Sequence, residues 1–148
     1  MIDLATNRRA RFDYNILETY EAGLALLGHE VKSARAGRVN LAGAFVIIRG
    51  GEAWLVNATI APYQPANAPS GYDTARPRKL LLHRAELKSL TGLGTEKGLT
   101  FVPLRVYAKG PRIKLEFGRA RRRKHYDKRE RIREREDRRS ATETSVKF

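Results

Sequence analysis

The sequence predicts a mainly β protein, a small antiparallel β-barrel with short helices, followed by a basic C-terminal tail. Residues 1–117 contain short β-rich runs separated by glycine- and proline-rich turns. Residues 118–148 are dominated by charged side chains and contain too few apolar residues to offset the entropy of ordering them. Because 148 residues suit one domain, we interpret residues 1–117 as a folded body. We interpret residues 118–148 as a tail that is disordered when free and helical when bound.

The first predicted strand begins at Arg11, where polar and large apolar residues alternate with the period of two that a strand requires. We expect this strand to continue to residue 27, and Gly23 within it indicates a bulge or a close approach of another segment. Residues 28–37 predict a short helix that ends at Gly37, since glycine is favoured just beyond a helix C-terminus.

A β-hairpin is predicted in the middle of the body. Residues 44–49 and 52–57 are rich in β-branched and aromatic side chains and are separated by Gly50 and Gly51. Two glycines can both adopt the positive φ angles that a type I′ turn requires. Residues 61–73 contain three prolines and predict a long exposed loop instead of regular structure.

The last part of the body predicts a helix and a second hairpin. Leucines between residues 80 and 90 are near helical spacing, so part of this segment is expected to be a helix. Residues 99–107 and 112–117 form the arms of the hairpin, and Pro103 should lie where its missing N–H is not needed. Five or six short strands with two or three helices favour the oligonucleotide-binding (OB) type of antiparallel barrel.

The excess of positive charge predicts a polyanionic partner. Thirty Lys and Arg residues stand against 16 Asp and Glu, a net charge of +14, which favours nucleic acid first and an anionic membrane surface second. No apolar run of about 18 residues and no signal-peptide pattern occurs, so we expect a cytoplasmic protein that does not enter a membrane. The absence of cysteine excludes a disulfide framework, an iron–sulfur cluster and a thiolate zinc site.

The sequence contains no pattern of catalytic or metal-binding residues. His29, His83 and His125 lie far apart without an accompanying pair of carboxylates, so ordinary surface or half-buried histidine is favoured over a metal ligand. Residues 92–98 contain three glycines, but they follow a predicted helix and not a strand, and are expected to form a turn. We therefore expect no catalysis, no metal and no cofactor.

Two basic segments and one acidic residue are the candidate RNA contacts of the body. Residues 7–11 form a basic arm that either is a solvated terminus or contacts phosphates. Residues 76–82 include a basic cluster that either only begins a soluble helix or also binds RNA. Glu21 interrupts an apolar stretch, so it is exposed to solvent, or is buried or faces RNA as a hydrogen-bond acceptor.

The tail combines a basic track with one aromatic residue and the signals of a helix. Residues 121–129 are mostly basic and contain Tyr126, a combination that can pair with phosphates and stack on a base. Asp127 and Glu130 have the spacing of a helix N-cap and its reciprocal partner. The alternative is a charge run that only increases solubility.

Six parts of the sequence carry a family resemblance. They are residues 7–11 (NRRAR), 21–24 (EAGL), 30–33 (EVKS), 35–40 (RAGRVN), 78–83 (RKLLLH) and 126–129 (YDKR), the last followed by 132–135 (IRER). Because they occur in one order at compatible spacings, the chain closely resembles the SmpB (SsrA-binding protein) family of bacteria. The resemblance extends from residue 7 to about residue 139.

The resemblance implies a partner of transfer-messenger RNA (tmRNA) in trans-translation, the process that rescues ribosomes stalled on broken messages. It implies an OB-type body that binds the tRNA-like domain of tmRNA, and a tail that enters the empty message channel of the small subunit and contacts its RNA. It further implies delivery of alanyl-tmRNA, an indirect contact with elongation factor Tu, a monomer and no catalysis. A basic structural ribosomal protein or another OB-fold RNA-binding protein is the alternative.

The resemblance also assigns roles to residues of this chain. Tyr126 stands where the family stacks in the decoding centre, and Arg122 stands where the family usually has a glycine near the start of the tail. The predicted RNA contacts of the body are Asn7, Arg8, Arg9, Arg11, Glu21, Arg78, Lys79 and Leu81. The predicted ribosome contacts of the tail are Arg121, Arg123, Lys124, Tyr126, Asp127, Lys128, Arg129 and Ile132.

Overall fold

The computed structural model describes residues 1–93 and 97–123 of the chain. The strands in these ranges are β1 (Ile2–Thr6), β2 (Tyr14–Leu24), β3 (Val39–Asn40), β4 (Phe45–Arg49), β5 (Glu52–Val56), β6 (Thr59–Ile60), β7 (Arg78–Leu81), β8 (Leu99–Lys109) and β9 (Arg112–Arg122). The helices are α1 (Ala10–Asp13), α2 (Gly28–Arg35) and α3 (Arg84–Leu93), and a short 3-10 turn covers Pro65–Asn67.

Six strands form a closed antiparallel barrel in the order β8–β4–β5–β7–β2–β9. The ring closes because β9 pairs with both β2 and β8. Strand β1 pairs with a different part of β8, and β3 pairs with β6 as a separate two-stranded sheet. The predicted mainly β, OB-type barrel with short helices is therefore confirmed.

The core has a main part inside the barrel and a smaller part beneath α1. The long strand β8 contributes to both parts of the core. Its register relative to β9 shifts between Pro103 and Arg105, and this bulge changes which side chains face the inside of the barrel. Phe101 and Val106 pack in the main core. Val102 and Leu104 instead pack with Ala10 and Ala120 in the smaller cluster, all at most 5 % exposed. The bulge thus exposes an apolar surface of β8 against which Ala10, in the basic arm that precedes β2, packs.

Both predicted hairpins are present. Gly50 and Gly51 join β4 to β5 with φ angles of 61° and 73°, the positive values that the predicted turn requires. Gly110 and Pro111 join β8 to β9, and Gly110 has a φ of 60°. The tight second turn brings the ends of β8 and β9 close to β2, with which β9 pairs along most of its length.

The structure differs from the local sequence pattern in three places for reasons of tertiary packing. Residues 11–13 lie in α1 and not in a strand, because Ala10 is held against β8 and the chain turns before β2 begins. Residues 2–6 form β1, which lies before the first predicted strand. Residues 78–81 form β7, whose pairing with β2 and β5 outweighs the helical spacing of the leucines. The helix predicted for part of residues 80–90 is confirmed as α3, which begins at Arg84.

The predicted start of the tail at residue 118 is also corrected. Strand β9 continues to Arg122, and the Arg123 N–H donates to the Asp13 carbonyl at 2.8 Å. The high content of arginine in residues 118–122 predicted a disordered tail, but the small residues between the arginines allow a packed strand. Gly118 and Ala120 are buried, and a Cβ at position 118 would lie 2.7 Å from the Ile16 side chain. Small residues therefore let β9 pack closely while Arg121 and Arg122 remain exposed to solvent.

Candidate nucleic-acid interface

A groove of about 970 Å³ lies at the end of β2 that leads to α2. Glu21 and Leu81, two of the predicted RNA contacts, both line it, together with Gly23, His83, Arg112 and Lys114. Leu81 is 55 % exposed, although it belongs to a strand whose neighbouring residue Leu80 is buried. A Cβ at position 23 would lie 3.2 Å from the Leu81 Cβ, so Gly23 marks the close approach that the sequence predicted.

Three side chains surround the carboxylate of Glu21 in the groove. The Tyr107 hydroxyl donates a hydrogen bond to Oε2, and the Lys114 ammonium donates to Oε1 at 3.0 Å. The Lys109 ammonium lies 3.8 Å from Oε1. These hydrogen bonds, that from Tyr107 first, lower the pKa of Glu21 below its usual value, so the group remains an anion. The Glu21 side chain is 40 % exposed, which excludes the buried alternative for this residue.

A second surface lies at the opposite end of β2 and combines predicted contacts of the body with predicted contacts of the tail. We call it the arginine cluster, and it consists of Arg8, Arg9, Arg11, Arg121, Arg122 and Arg123. Asn7 anchors the arm, since its N–H donates to the Leu104 carbonyl at 2.8 Å and its side chain donates to the Pro103 carbonyl at 2.9 Å. The Arg123 side chain donates to the Arg11 carbonyl at 3.2 Å. The N-terminal arm and the end of β9, far apart in the sequence, therefore form one basic surface.

Aromatic rings are interleaved with the charges of the arginine cluster. The guanidinium of Arg9 lies 4.6 Å from the centre of the Phe12 ring, and that of Arg122 lies 5.9 Å from the centre of the Tyr14 ring. Arg9 also forms an exposed ion pair with Asp13 at 3.5 Å. Cations stacked on rings present flat, partly desolvated charge, which is suited to phosphates and unstacked bases.

The two surfaces are separate. Glu21 lies seven positions after Tyr14 along β2, which at a strand rise of about 3.3 Å per residue corresponds to about 23 Å. The sequence treated the basic arm, Glu21 and Leu81 as one body site. The structure divides them between the groove and the arginine cluster, and the barrel wall connects the two.

Arg78 is the predicted site residue that the structure corrects. Its side chain is completely buried and donates to Glu30 through Nε at 3.0 Å and Nη2 at 2.6 Å. It also donates to the carbonyl oxygens of Ala58 at 2.7 Å and Thr74 at 2.9 Å. A guanidinium with these partners and no exposure cannot reach a phosphate, so Arg78 stabilises the fold and is not an RNA contact.

Lys79, in contrast, remains accessible on the outer face of β7. Its ammonium lies 2.8 Å from a carboxylate oxygen of Glu52, and both side chains are more than 40 % exposed. An exposed pair of this kind contributes little to stability. Lys79 is therefore free to exchange its partner for a phosphate.

Most of the predicted tail contacts lie outside the described residues. These are Lys124, Tyr126, Asp127, Lys128, Arg129 and Ile132. Arg121 and Arg123 are described, and they belong to the end of β9 and its immediate continuation. The predicted ribosome contacts thus begin inside the arginine cluster.

Comparison with known proteins identifies the family. A family model described as SmpB protein matches residues 4–147 of this chain. The SsrA-binding protein of Gloeobacter violaceus is 56 % identical over 136 residues, which cover 92 % of this chain and 89 % of that relative. The SsrA-binding protein of Thermosynechococcus vestitus is 53 % identical over 136 residues, covering 92 % and 90 %. The chain belongs to the SmpB family.

The SmpB resemblance inferred from six short segments is thereby confirmed. A solved structure described as "tmRNA-SmpB: a journey to the center of the bacterial ribosome" contains a chain that is 50 % identical to this one. The two superimpose with a TM-score of 0.68, over 82 % of this chain and 85 % of the other. SmpB is thus a family of RNA-binding proteins, and the barrel described above is its fold.

Sequence reasoning missed several residues of this SmpB-family chain that line the groove or lie against Glu21 within it. Tyr107, Lys109, Arg112 and Lys114 lie on either side of the tight turn between β8 and β9. Lys109, Arg112 and Lys114 left a signal as basic residues flanking a Gly-Pro turn, but nothing in the sequence shows that this turn meets β2. Among the described residues, no three His, Asp or Glu side chains come together to hold a metal ion. No helix of the described part is long and apolar enough to cross a membrane.

Proposed function

We propose that this chain binds tmRNA and acts in trans-translation, where it delivers alanyl-tmRNA to stalled ribosomes. The observation that carries the proposal is the SmpB family match over residues 4–147, which includes both the barrel and the C-terminal segment. The relatives are described as SsrA-binding proteins, and the related solved chain belongs to a tmRNA–SmpB structure of the bacterial ribosome.

The groove is the surface that we assign to the tRNA-like domain of tmRNA. It offers an exposed apolar side chain, Leu81, beside a coordinated carboxylate, Glu21, and the cations Arg112 and Lys114. Folded RNA is recognised at loops and elbows, where unstacked bases and phosphates are both accessible. A groove with one apolar contact, one acceptor and several cations matches that chemistry. Lys79, on the same outer face of β7 as Leu81, extends the positive charge.

The arginine cluster is the surface that we assign to phosphate contacts near the decoding region. It lies about 23 Å along β2 from the groove and is continuous in sequence with residues 124–148. Asn7 acts there by holding the arm that carries Arg8, Arg9 and Arg11. A body that binds RNA at two separated surfaces can link tmRNA to the small subunit.

The C-terminal segment completes the proposal. Lys124, Tyr126, Asp127, Lys128, Arg129 and Ile132 occupy the empty message channel and contact small-subunit RNA. The protein acts as a cytoplasmic monomer and contacts elongation factor Tu only through alanyl-tmRNA. It performs binding and positioning, without catalysis, metal or cofactor.

The test is capture of RNA from bacterial extract with the full chain, followed by sequencing of the bound RNA. We expect tmRNA to be strongly enriched over ribosomal and transfer RNA. A variant with Glu21→Gln and Leu81→Ala should lose this enrichment while its melting temperature is maintained. Recovery of ribosomal RNA alone, with the protein present in equal amounts on salt-washed subunits, would instead identify a structural ribosomal protein.

A further inference from the structure

The described residues use only half of the hydrogen-bond acceptor positions of the Glu21 carboxylate. A carboxylate offers about four acceptor positions, two on each oxygen. Within residues 1–93 and 97–123, one hydrogen bond reaches each oxygen, from Tyr107 to Oε2 and from Lys114 to Oε1, and Lys109 lies beyond hydrogen-bond distance of Oε1. One acceptor position thus remains on each oxygen. The side chain is 40 % exposed and lines the groove, so a ligand can reach both positions.

Tyr107 is held too firmly to be an incidental partner. It lies on β8, with β9 between it and β2, and its ring crosses the outer face of the sheet to reach Glu21. Tyr107 is 1 % exposed, and the Arg105 guanidinium lies 4.4 Å from the centre of its ring. Arg105 is itself fixed by Asp3 at 2.6 Å and Glu116 at 3.4 Å. The hydroxyl is therefore presented to Glu21 at a fixed point.

We propose that Tyr107 is a positioning residue that holds the Glu21 carboxylate as a two-point acceptor for the donor edge of an unpaired guanine. Guanine presents two adjacent N–H donors on its Watson–Crick edge, at N1 and N2. Each matches one of the two remaining acceptor positions. The other bases present a single donor nitrogen on that edge, so they satisfy only one oxygen. Leu81 offers an apolar contact for the face of the same base. This inference rests on the proposed function, since it assigns a ligand to the tmRNA groove.

Removing the Glu21 carboxylate should change RNA affinity in the direction opposite to that expected for an ordinary surface carboxylate. A carboxylate facing a polyanion is repelled, so removing an ordinary surface carboxylate from a chain of net charge +14 should strengthen RNA binding. Removing a carboxylate that accepts two hydrogen bonds should weaken it. Glu18 is the matched control, because it lies on the same strand, is 52 % exposed, and has its own tyrosine and arginine partners in Tyr20 and Arg119.

The experiment measures Kd of the full chain for the isolated tRNA-like domain of tmRNA at one fixed salt concentration. We expect Glu21→Gln to weaken binding about tenfold or more, as loss of a bidentate base contact does. Glu18→Gln should leave Kd unchanged or lower it. We expect Tyr107→Phe to weaken binding about fivefold, the size of one lost hydrogen bond. Tyr20→Phe removes only the hydroxyl that contacts Glu18 and keeps the ring that lines the groove, so it should have no such effect.

A footprint then identifies the base. Kethoxal modifies the N1 and N2 positions of unpaired guanines, so the wild-type chain should protect one such guanine. Tyr107→Phe and Glu21→Gln should expose that guanine again while other protections remain. Inosine at that position lacks the N2 donor but keeps N1–H, so it should weaken wild-type binding and reduce the difference between wild type and Tyr107→Phe.

Each outcome has a defined meaning. If wild type does not bind the tRNA-like domain, the proposed function fails. If wild type binds but Tyr107→Phe has the same Kd and footprint, or if Glu21→Gln strengthens binding as Glu18→Gln does, the positioning inference is overturned. Melting temperatures are measured for every variant, and if Tyr107→Phe does not fold, the Glu21→Gln and inosine results decide alone.

Discussion

Arg78 and Glu30 form an ion pair that is completely buried, with Nη2 of Arg78 lying 2.6 Å from Oε2 of Glu30. Arg76 and Tyr72 donate to the same carboxylate, and so does the backbone N–H of Leu27. The network ties the start of α2 to the proline-rich loop and to β7. A buried arginine at this position is part of the fold, even though its neighbours Lys79 and Leu81 face the outside.

Arg78 and Lys79 should separate stability from RNA binding. We expect Arg78→Met to lower the free energy of unfolding by about 3–5 kcal/mol, since it breaks the buried ion pair with Glu30 and removes the hydrogen bonds to the Ala58 and Thr74 carbonyl groups. Its folded fraction should bind the tRNA-like RNA with unchanged Kd. Lys79→Ala should change stability by less than about 1 kcal/mol, because its ion pair is exposed, and should weaken RNA binding. Denaturant titration and RNA titration of both variants check this, and normal stability of Arg78→Met would contradict it.

Glu30 predicts an acid-dependent loss of stability. Burial raises the pKa of Glu30, but hydrogen bonds from Arg76, Leu27 and Arg78 outweigh it and lower the pKa to about 2. Because the pKa is lower in the folded state, this contribution is complete above the usual value of 4.5 and is lost as pH falls through about 2. It amounts to about 3 kcal/mol at neutral pH.

Unfolding measured by denaturant between pH 6 and pH 2 tests this prediction. We expect Glu30→Gln to be less stable than wild type near neutral pH and to lack the steep decline towards pH 2. Glu52→Gln, which removes an exposed carboxylate paired with Lys79, should keep the wild-type pH dependence. A decline of equal size in wild type and Glu30→Gln would assign the effect to other carboxylates.

The barrel could be predicted from sequence because its signals are local. Alternation in β5 and β9, the glycine pair at residues 50–51 and the turn at Gly110 all act within a few residues. The helical conformation of residues 10–13 could not be predicted from the sequence. This helical turn depends on Ala10 packing against a bulge in β8, more than 90 residues away in sequence. Non-local packing also decided that residues 118–122 belong to the sheet.

The end of the folded body should lie after residue 122. A chain of residues 1–123 retains all of β9, and we expect it to fold and to bind the tRNA-like RNA nearly as well as the full chain. A chain of residues 1–117 loses the part of β9 that pairs with the start of β2 and of β8. Its free energy of unfolding should be lower by about 5 kcal/mol, taking about 1 kcal/mol of lost backbone hydrogen bonding for each of the five missing residues of β9. Equal melting temperatures of the two truncations would contradict this.

The arginine cluster predicts a change in salt dependence. Each phosphate contact contributes about 0.7–0.9 to the slope of log K against log salt concentration. Arg9→Ala with Arg121→Ala should reduce the slope for binding to ribosomal small subunits by about 1.4–1.8 if each residue contacts one phosphate. The control is Lys32→Ala with Arg49→Ala, which removes equal charge from exposed positions outside both surfaces. Equal slopes for the two double variants would show a general charge effect.

The candidate site was only partly predictable. Glu21 and Leu81 were identified by resemblance, and the groove brings them together. Arg78 was assigned to RNA because it stands in a basic run, and sequence does not reveal that the alternation of β7 turns it inward. Tyr107 gave no signal, because a tyrosine in a strand is ordinary until the register places its hydroxyl at Glu21.

The C-terminal segment should be required for tagging but not for binding tmRNA. Residues 127–129 lie outside the described part of the chain, so this prediction rests on their sequence. Asp127 has the spacing of a helix N-cap, and loss of a cap costs about 0.5–2 kcal/mol. Lys128 and Arg129 would lie in the first turn, where the helix dipole disfavours cations, so a phosphate partner accounts for them. A helix that forms only on binding has little free energy in reserve.

We therefore expect the triple variant Asp127→Ala, Lys128→Ala, Arg129→Ala to abolish peptide tagging on a message without a stop codon, with Kd for tmRNA unchanged. Normal tagging would remove the segment from the mechanism, and a parallel loss of tmRNA affinity would place it in the tmRNA site instead.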